Sequence, residues 1–319
     1  MTRKNPYGIK QIALVAVSLV TICLSANAQQ EFMLSQYMFN QMVFNPGYAG
    51  SKHFISADAL YRRQWVDFPG SPTTQTFSIH SPIGLTNMGG GLYVAHDNIG
   101  VTDKTDAYLN YAYHLKMNDN LHLGLGIRGG VSFYSARLQD LIYWDQNDKV
   151  FPQETQSNTL PNFGAGAYLY SRLYYVGIAC PNLLSFSPDR PVTLNSDKLK
   201  NIPNQVRHYY ITGGYVFEFS EDFVLKPSTM VKYTYNAPVE VDINVNALLA
   251  GAFWIGASYR TGDSFIGIIG YDITRQLHLG YAYDFTTTDI KDYSSGTHEI
   301  TLGYDFGYDI MKMKTPRYF

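Results

Sequence analysis

Cysteine is nearly missing from this 319-residue chain, which has two, Cys23 and Cys180. Cys23 falls in an apolar leader, so Cys180 has no partner and a disulfide-built fold is excluded. An excess of one charge is missing too, with 24 Lys and Arg against 26 Asp and Glu. No basic cluster offers a surface to nucleic acid, which is excluded as a partner. Beyond Leu24 no apolar run approaches the ~20 residues of a membrane-spanning helix. Catalytic signatures are also absent. There is no His-x-x-x-His or Cys-x-x-Cys spacing, no glycine-flanked serine elbow and no Gly-rich loop opening a helix. The eight histidines are scattered singly, and His122 and His278 read as polar lining. No metal or other cofactor is expected, and the chain reads as a non-enzyme.

What is present begins with the first residues. Arg3, Lys4 and Lys10 precede an apolar run from Ile12 to Leu24, then Ser25-Ala-Asn-Ala28. This order of positive, apolar and small residues predicts a signal peptide over 1–28, cut after Ala28. An uncleaved anchor fits less well, because the run is short for a span. Residues 29–52 are rich in Pro, Gly and aromatics, and read as a turn-rich segment that is periplasmic or plugs a barrel.

From there the pattern changes to alternation. Ala107, Leu109, Tyr111, Tyr113 and Leu115 oppose Asp106, Asn110 and His114. Leu121, Leu123, Leu125 and Ile127 oppose His122, Gly124, Gly126 and Arg128. Val241, Ile243 and Val245 oppose Glu240, Asp242 and Asn244, and Leu279, Tyr281 and Tyr283 oppose Gly280, Ala282 and Asp284. Strand side chains alternate with period two, so each run has one apolar face and one small or charged face. Acids on every second residue suit a lumen better than a soluble core. Glu240, Asp242 and Asp284 are read as hydrated lumen groups balanced by Arg128, Lys232 or Arg260, with an acidic constriction for cations as the sharper alternative. Tyr, Phe and Gly reach 27, 18 and 27, the composition an alternating membrane barrel gives.

The expected fold is all-β, a single transmembrane antiparallel β-barrel over 53–308 with about fourteen strands of the ~10 residues a tilted span needs. Their centres are Ala59, Phe77, Leu92, Tyr111, Leu125, Ala167, Gly177, Gly213, Val231, Ile243, Ala257, Gly267, Tyr281 and Tyr304. The first strand is set at Ser51 to Arg63, and Gln139–Pro161 and Cys180–Gln205 are set as long loops. Tyr111, Leu125, Ile243 and Tyr281 should face lipid. The last strand, with Phe306 and Tyr308, carries the pattern of an outer-membrane assembly signal, and 309–319 form a tail.

Several segments resemble one family. Ser35-Gln-Tyr-Met-Phe-Asn40, Asn45-Pro-Gly-Tyr-Ala-Gly-Ser51, Arg63-Gln-Trp-Val-Asp-Phe-Pro-Gly-Ser-Pro-Thr-Thr-Gln75 and Gly280-Tyr-Ala-Tyr-Asp284 are similar to the PorP/SprF proteins of the type IX secretion system. The likeness spans nearly the whole chain after the leader, with Gly47 where Ala is usual. It implies a fourteen-stranded barrel in the outer membrane, in contact with its lipid and with periplasmic type IX components. It also implies a role in exporting, or anchoring at the cell surface, a large secreted protein or gliding adhesin with a C-terminal targeting domain. A diffusion channel for small solutes is the alternative. Tyr37, Tyr48, Trp65, Phe68 and Pro69 lie outside the alternation beside rigid turns and are the candidate docking residues. For the Trp65 turn, docking and a packed structural turn are equally open.

Overall fold

The computed structural model describes residues 31–140, 155–184 and 206–307, apart from 53, 85, 221 and 236. The expected leader, Tyr308 and the tail lie outside the described residues. The strands, in order, are β1 (Ile55–Arg63), β2 (Thr73–Pro82), β3 (Met88–Ile99), β4 (Thr102–Lys116), β5 (Leu121–Arg137), β6 (Thr155–Ser171) and β7 (Tyr174–Cys180). They continue with β8 (His208–Tyr215), β9 (Phe217–Glu218), β10 (Phe223–Thr234), β11 (Glu240–Leu249), β12 (Phe253–Arg260), β13 (Ser264–Asp272), β14 (Leu277–Thr286) and β15 (Thr297–Phe306). Every pairing is antiparallel, and β1 pairs β15 from Ile55↔Phe306 to Arg63↔His298, which closes the sheet. Closure removes the sheet edges that lipid could not hydrogen-bond.

The barrel has fourteen staves, because β8 and β9 are two pieces of one. Gly214↔Ser228 and Phe217↔Leu225 keep a single register along β10. The break at Val216 falls opposite Lys226 and Pro227. Proline has no N–H to give to a ladder, so the pairing lapses there. The Val216 amide turns instead to the Leu173 carbonyl at 2.7 Å.

All fourteen expected centres fall within strands. Tyr111, Leu125 and Ile243 are exposed on the outer face, and Tyr281 shares that face while its hydroxyl meets His298 Nδ1 at 2.8 Å. Two expected bounds were wrong. The first strand starts at Ile55, not Ser51. β6 starts at Thr155, inside what read as a loop to Pro161. Pro161 pairs only with β5, since β7 joins β6 from Ala165 onward, so its missing N–H breaks no second ladder.

The first strand starts, and the last ends, at one rim. Connections there are short, such as 117–120, 172–173 and 250–252, while the opposite rim carries longer ones, such as 64–72 and 287–296, beside the short 100–101 and 261–263. Short periplasmic turns and longer outer loops are the rule for such barrels. The two rims are therefore the turn end, facing the periplasm, and the loop end, facing outward. Outward aromatics mark both. Tyr215–Phe217, Phe253–Tyr271 and Tyr304–Phe306 pair at the turn end, and Tyr259–Phe265 and Tyr283–Phe285 at the loop end.

Candidate functional site: the filled lumen and the loop-end turn

The lumen is occupied by the chain's own segment from Leu34 to Gly50, nearly all of it buried. Two 3-10 turns, Gln41–Val43 and Pro46–Tyr48, keep it compact. Pro46 suits the first position of a helical turn because no partner is needed for its nitrogen. Asn45 precedes it and caps, its Oδ1 accepting from Gly47 N at 2.9 Å while Nδ2 donates to the Ala167 carbonyl at 3.0 Å. Leu34, Met38, Met42, Val43, Phe44 and Tyr48 form one apolar cluster with wall residues such as Tyr93, Tyr108, Tyr168, Tyr210 and Ile268.

Inward glycines make the middle of this fit possible. A Cβ at Gly126 would lie 2.2 Å from Gly47 N, and one at Gly124 2.3 Å from Gly47 O. At Gly166 it would meet Asn45 Oδ1 at 2.2 Å, and at Gly89 the Ala49 carbonyl at 2.0 Å. No β-carbon fits at such distances, so the glycine faces form a bed for a backbone. Gly47 is held in the same way, since a Cβ there would lie 2.8 Å from the Gly124 carbonyl.

At the loop end the hold is ionic. Arg62 reaches Asp284 at 2.8 Å and Glu299 at 3.1 Å, and donates to Ser35 Oγ at 2.7 Å. Glu299 accepts the amides of Ser35 and Gln36, each at 2.8 Å. Arg260 pairs with Asp242 at 2.9 Å and donates to the Leu34 carbonyl at 3.2 Å. Glu31 follows, bonded by Asn182 Nδ2 at 2.7 Å and Lys104 Nζ at 3.3 Å. Burial pushes the Glu31 carboxyl up, but Lys104, His208 and Arg128 outweigh it and hold the group down to about 2.

Some expectations change here. Asp242 and Asp284 do not line a wet lumen; they are covered and paired with Arg260 and Arg62. Among the described residues Arg128 pairs with no carboxylate by direct contact. It donates to the carbonyls of Pro181 and Val43 and to Asn182 Oδ1, and stacks 4.4 Å from the Tyr108 ring. Lys232 donates to the Glu31 carbonyl at 3.3 Å. Arg62 and Glu299 were not singled out from sequence, although closure of first strand on last sets them directly opposite.

Of the five docking candidates, two are interior. Tyr37 and Tyr48 are 1% and 2% exposed, and Tyr48 packs edge-on against His80 and Tyr168. Neither reaches a surface, so a docking contact would require the segment to leave the lumen. Trp65, Phe68 and Pro69 do stand together, on the 64–72 loop-end turn. Trp65 and Asp67 adopt left-handed φ values of 47° and 72°. For a bulky residue that conformation is strained by ~1–3 kcal/mol and persists only where neighbours enforce it. Here they do. Trp65 N donates to Thr297 Oγ1 at 3.0 Å, Val66 N to the Gly296 carbonyl at 2.8 Å, and Ser295 N to the Val66 carbonyl at 2.9 Å. Ser295 Oγ bonds Asp67, and Gly100 N donates to the Gly70 carbonyl at 3.0 Å. Phe68, 38% exposed, and Pro69 form the tip.

A closed barrel with aromatic girdles, an apolar outer face and an ion-paired interior filled by its own N-terminal segment defines an outer-membrane β-barrel protein. The family model for the type IX secretion system membrane protein PorP/SprF matches residues 26–304, and the chain belongs to that family. No curated protein matches the chain. Among solved structures it is similar to the Acinetobacter baumannii outer membrane protein Omp33 at 9% identity and a TM-score of 0.46, over 81% of this chain and all of that one. It is also similar to the CymD monoaromatic hydrocarbon channel at 13% identity and a TM-score of 0.46, over 84% and 93% of the two chains. The protein resides in the outer membrane, and its family is one of type IX secretion system membrane proteins.

Proposed function

We propose that this barrel works with the type IX machinery to export a large protein bearing a C-terminal targeting domain, or to hold it at the cell surface, and that the Trp65–Gly70 turn is its point of contact. The observation that carries the reading is the pinned turn itself, which holds Phe68 and Pro69 outward on a strained backbone above a filled lumen. An aromatic on a preordered turn loses little freedom on docking, and a central one contributes about 2 kcal/mol, roughly thirtyfold in affinity. Trp65 serves by fixing the turn and Phe68 by touching the partner. The filled lumen counts against an open diffusion channel. Among the described residues it leaves no place for one without displacement of the 34–50 segment.

The test is Phe68→Ala, with secreted partner recovered from cells and from medium and folded barrel measured by heat-modifiable mobility. Folded barrel should be unchanged while partner shifts from cells to medium. Unchanged retention would remove the turn from the docking role.

A further inference from the structure

Strand β6 runs past its neighbour on one side. It pairs with β5 along its whole length, Thr155 to Ser171, whereas β7 joins it only over Ala165 to Tyr170. Beyond β7 the chain adds two contacts. Leu183 N donates to the Phe163 carbonyl at 2.7 Å, and Leu184 N to Asn162 Oδ1 at 3.1 Å. The Asn162 side chain ends the ladder there, since its Oδ1 also accepts from Phe163 N at 2.8 Å. From Thr155 to Pro161 no backbone bond reaches β6 from that side among the described residues. The open edge runs roughly 20 Å at the rise of a strand. It stands at the loop end, where Thr155 pairs with Arg137 and the Arg137 amide donates to the Val101 carbonyl.

In an antiparallel sheet, successive residues aim their N–H and C=O at opposite neighbours. Phe163 aims away from β5, so Pro161, Thr159, Ser157 and Thr155 do the same. Pro161 keeps that parity, because β5 loses no donor by its missing N–H. Ser157 and Thr159, both exposed, therefore present complete N–H and C=O pairs on the open side. Natural edges are guarded by charges, bulges, prolines or brevity. Thr155-Gln-Ser-Asn-Thr-Leu-Pro161 carries no charge, its register with β5 is unbroken, and its proline guards only the foot.

The chemistry such an edge recognises is an extended backbone. Residues after Leu184 suit the place badly, since Pro188 and Pro191 have no N–H to give. A second copy suits it no better. Two identical antiparallel edges are related by a twofold axis perpendicular to the sheet. In a barrel wall that axis lies in the membrane plane, so one of the two barrels would be inverted. A strand arriving from outside the cell meets neither obstacle.

We propose that an extended, uncharged stretch of the retained protein adds to β6 as an antiparallel strand. Main-chain bonds at Ser157 and Thr159 hold it. Phe133 and Phe163, both exposed on the outer face, favour apolar or β-branched side chains on that side of the incoming strand. This inference rests on the docking reading and gives the same partner a second hold, on a different stave.

Hydrogen exchange on the detergent-purified full chain tests the edge, with Ac-Val-Thr-Val-Thr-Val-Thr-NH2 as the probe. At about 1 mM the peptide should slow the Ser157 and Thr159 amides about tenfold. A fully N-methylated copy, which has no N–H, should leave them fast. Slow exchange of both amides without peptide would assign the edge to residues 185–205 of the same chain. Slowing that grows with barrel concentration would assign it to a second copy. Either result, no slowing by the peptide, or equal slowing by the methylated copy overturns the proposal. In cells, Ser157→Pro with Thr159→Pro removes two open N–H groups and none bonded to β5. Affinity for the partner should fall about tenfold or more, moving it from cells to medium with the heat-modifiable folded form intact. If Phe68→Ala releases the partner and the proline pair does not, the edge is overturned and the turn stands. If neither variant releases it, the docking reading falls as well.

Discussion

The lumen segment is held by two unlike means at two heights. At the loop end, two arginines and their carboxylates grip a few groups of residues 34–36 by charge. In the middle, Gly124, Gly126 and Gly166 grip Asn45 and Gly47 by the absence of side chains. The ionic hold is local, directional and costly to leave half-made. The glycine bed has no charge and tolerates no added volume.

The largest break in that arrangement should come from Arg62→Ala. It leaves Asp284 and Glu299 buried without their nearest cation, a loss of about 3–5 kcal/mol. The urea midpoint of the barrel in vesicles should fall, and single-channel conductance should rise as residues 34–36 come free. An unchanged midpoint would show that the ionic grip carries no stability. Gly126→Val should come next, at about 1–3 kcal/mol for overpacking. If the two holds are independent, the double variant should lose the sum of the two within about 0.5 kcal/mol. A larger departure would make them one unit.

The smallest effect concerns pH at the segment's outer end. Glu31 is held down to about 2 against an ordinary 4.5, so its contribution is complete above pH 4.5 and fades as pH falls toward 2. A spin label at Phe32 should stay immobile from pH 8 to 5 and loosen only below that window. Loosening near pH 6 would place the control with His208 instead.

Strand positions were legible because lipid enforces alternation. Tyr111 and Ile243 had to face outward if Asn110 and Asp242 faced in, and the structure agrees. What pressed on the inward face was not legible. Gly124 and Gly126 look alike whether they border water or a backbone, since glycine records space and not its occupant. Aromatics beside Pro-Gly turns are ambiguous in the same way. Tyr48 packs inside, while Phe68 at a similar turn stays out, and only the long-range anchors of each segment separate them. Arg62 had the right parity for the lumen. Its partners depend on closure between residues 237 positions apart, as with Glu299, and local pattern does not reach that far.

One consequence follows from where Glu31 sits. Its contacts are Lys104, Asn182 and His208, all near the loop end, whereas Lys52 bonds Ser56 and Asp305 at the turn end. Between those points the chain runs the length of its own barrel, from the loop end to the turn end. It thereby makes one more passage than the staves alone account for. An even number of staves returns a chain to the side it started from, and this additional passage undoes that. Glu31 and Phe306 thus lie at opposite ends of the barrel, the one inside its loop end and the other at its turn end.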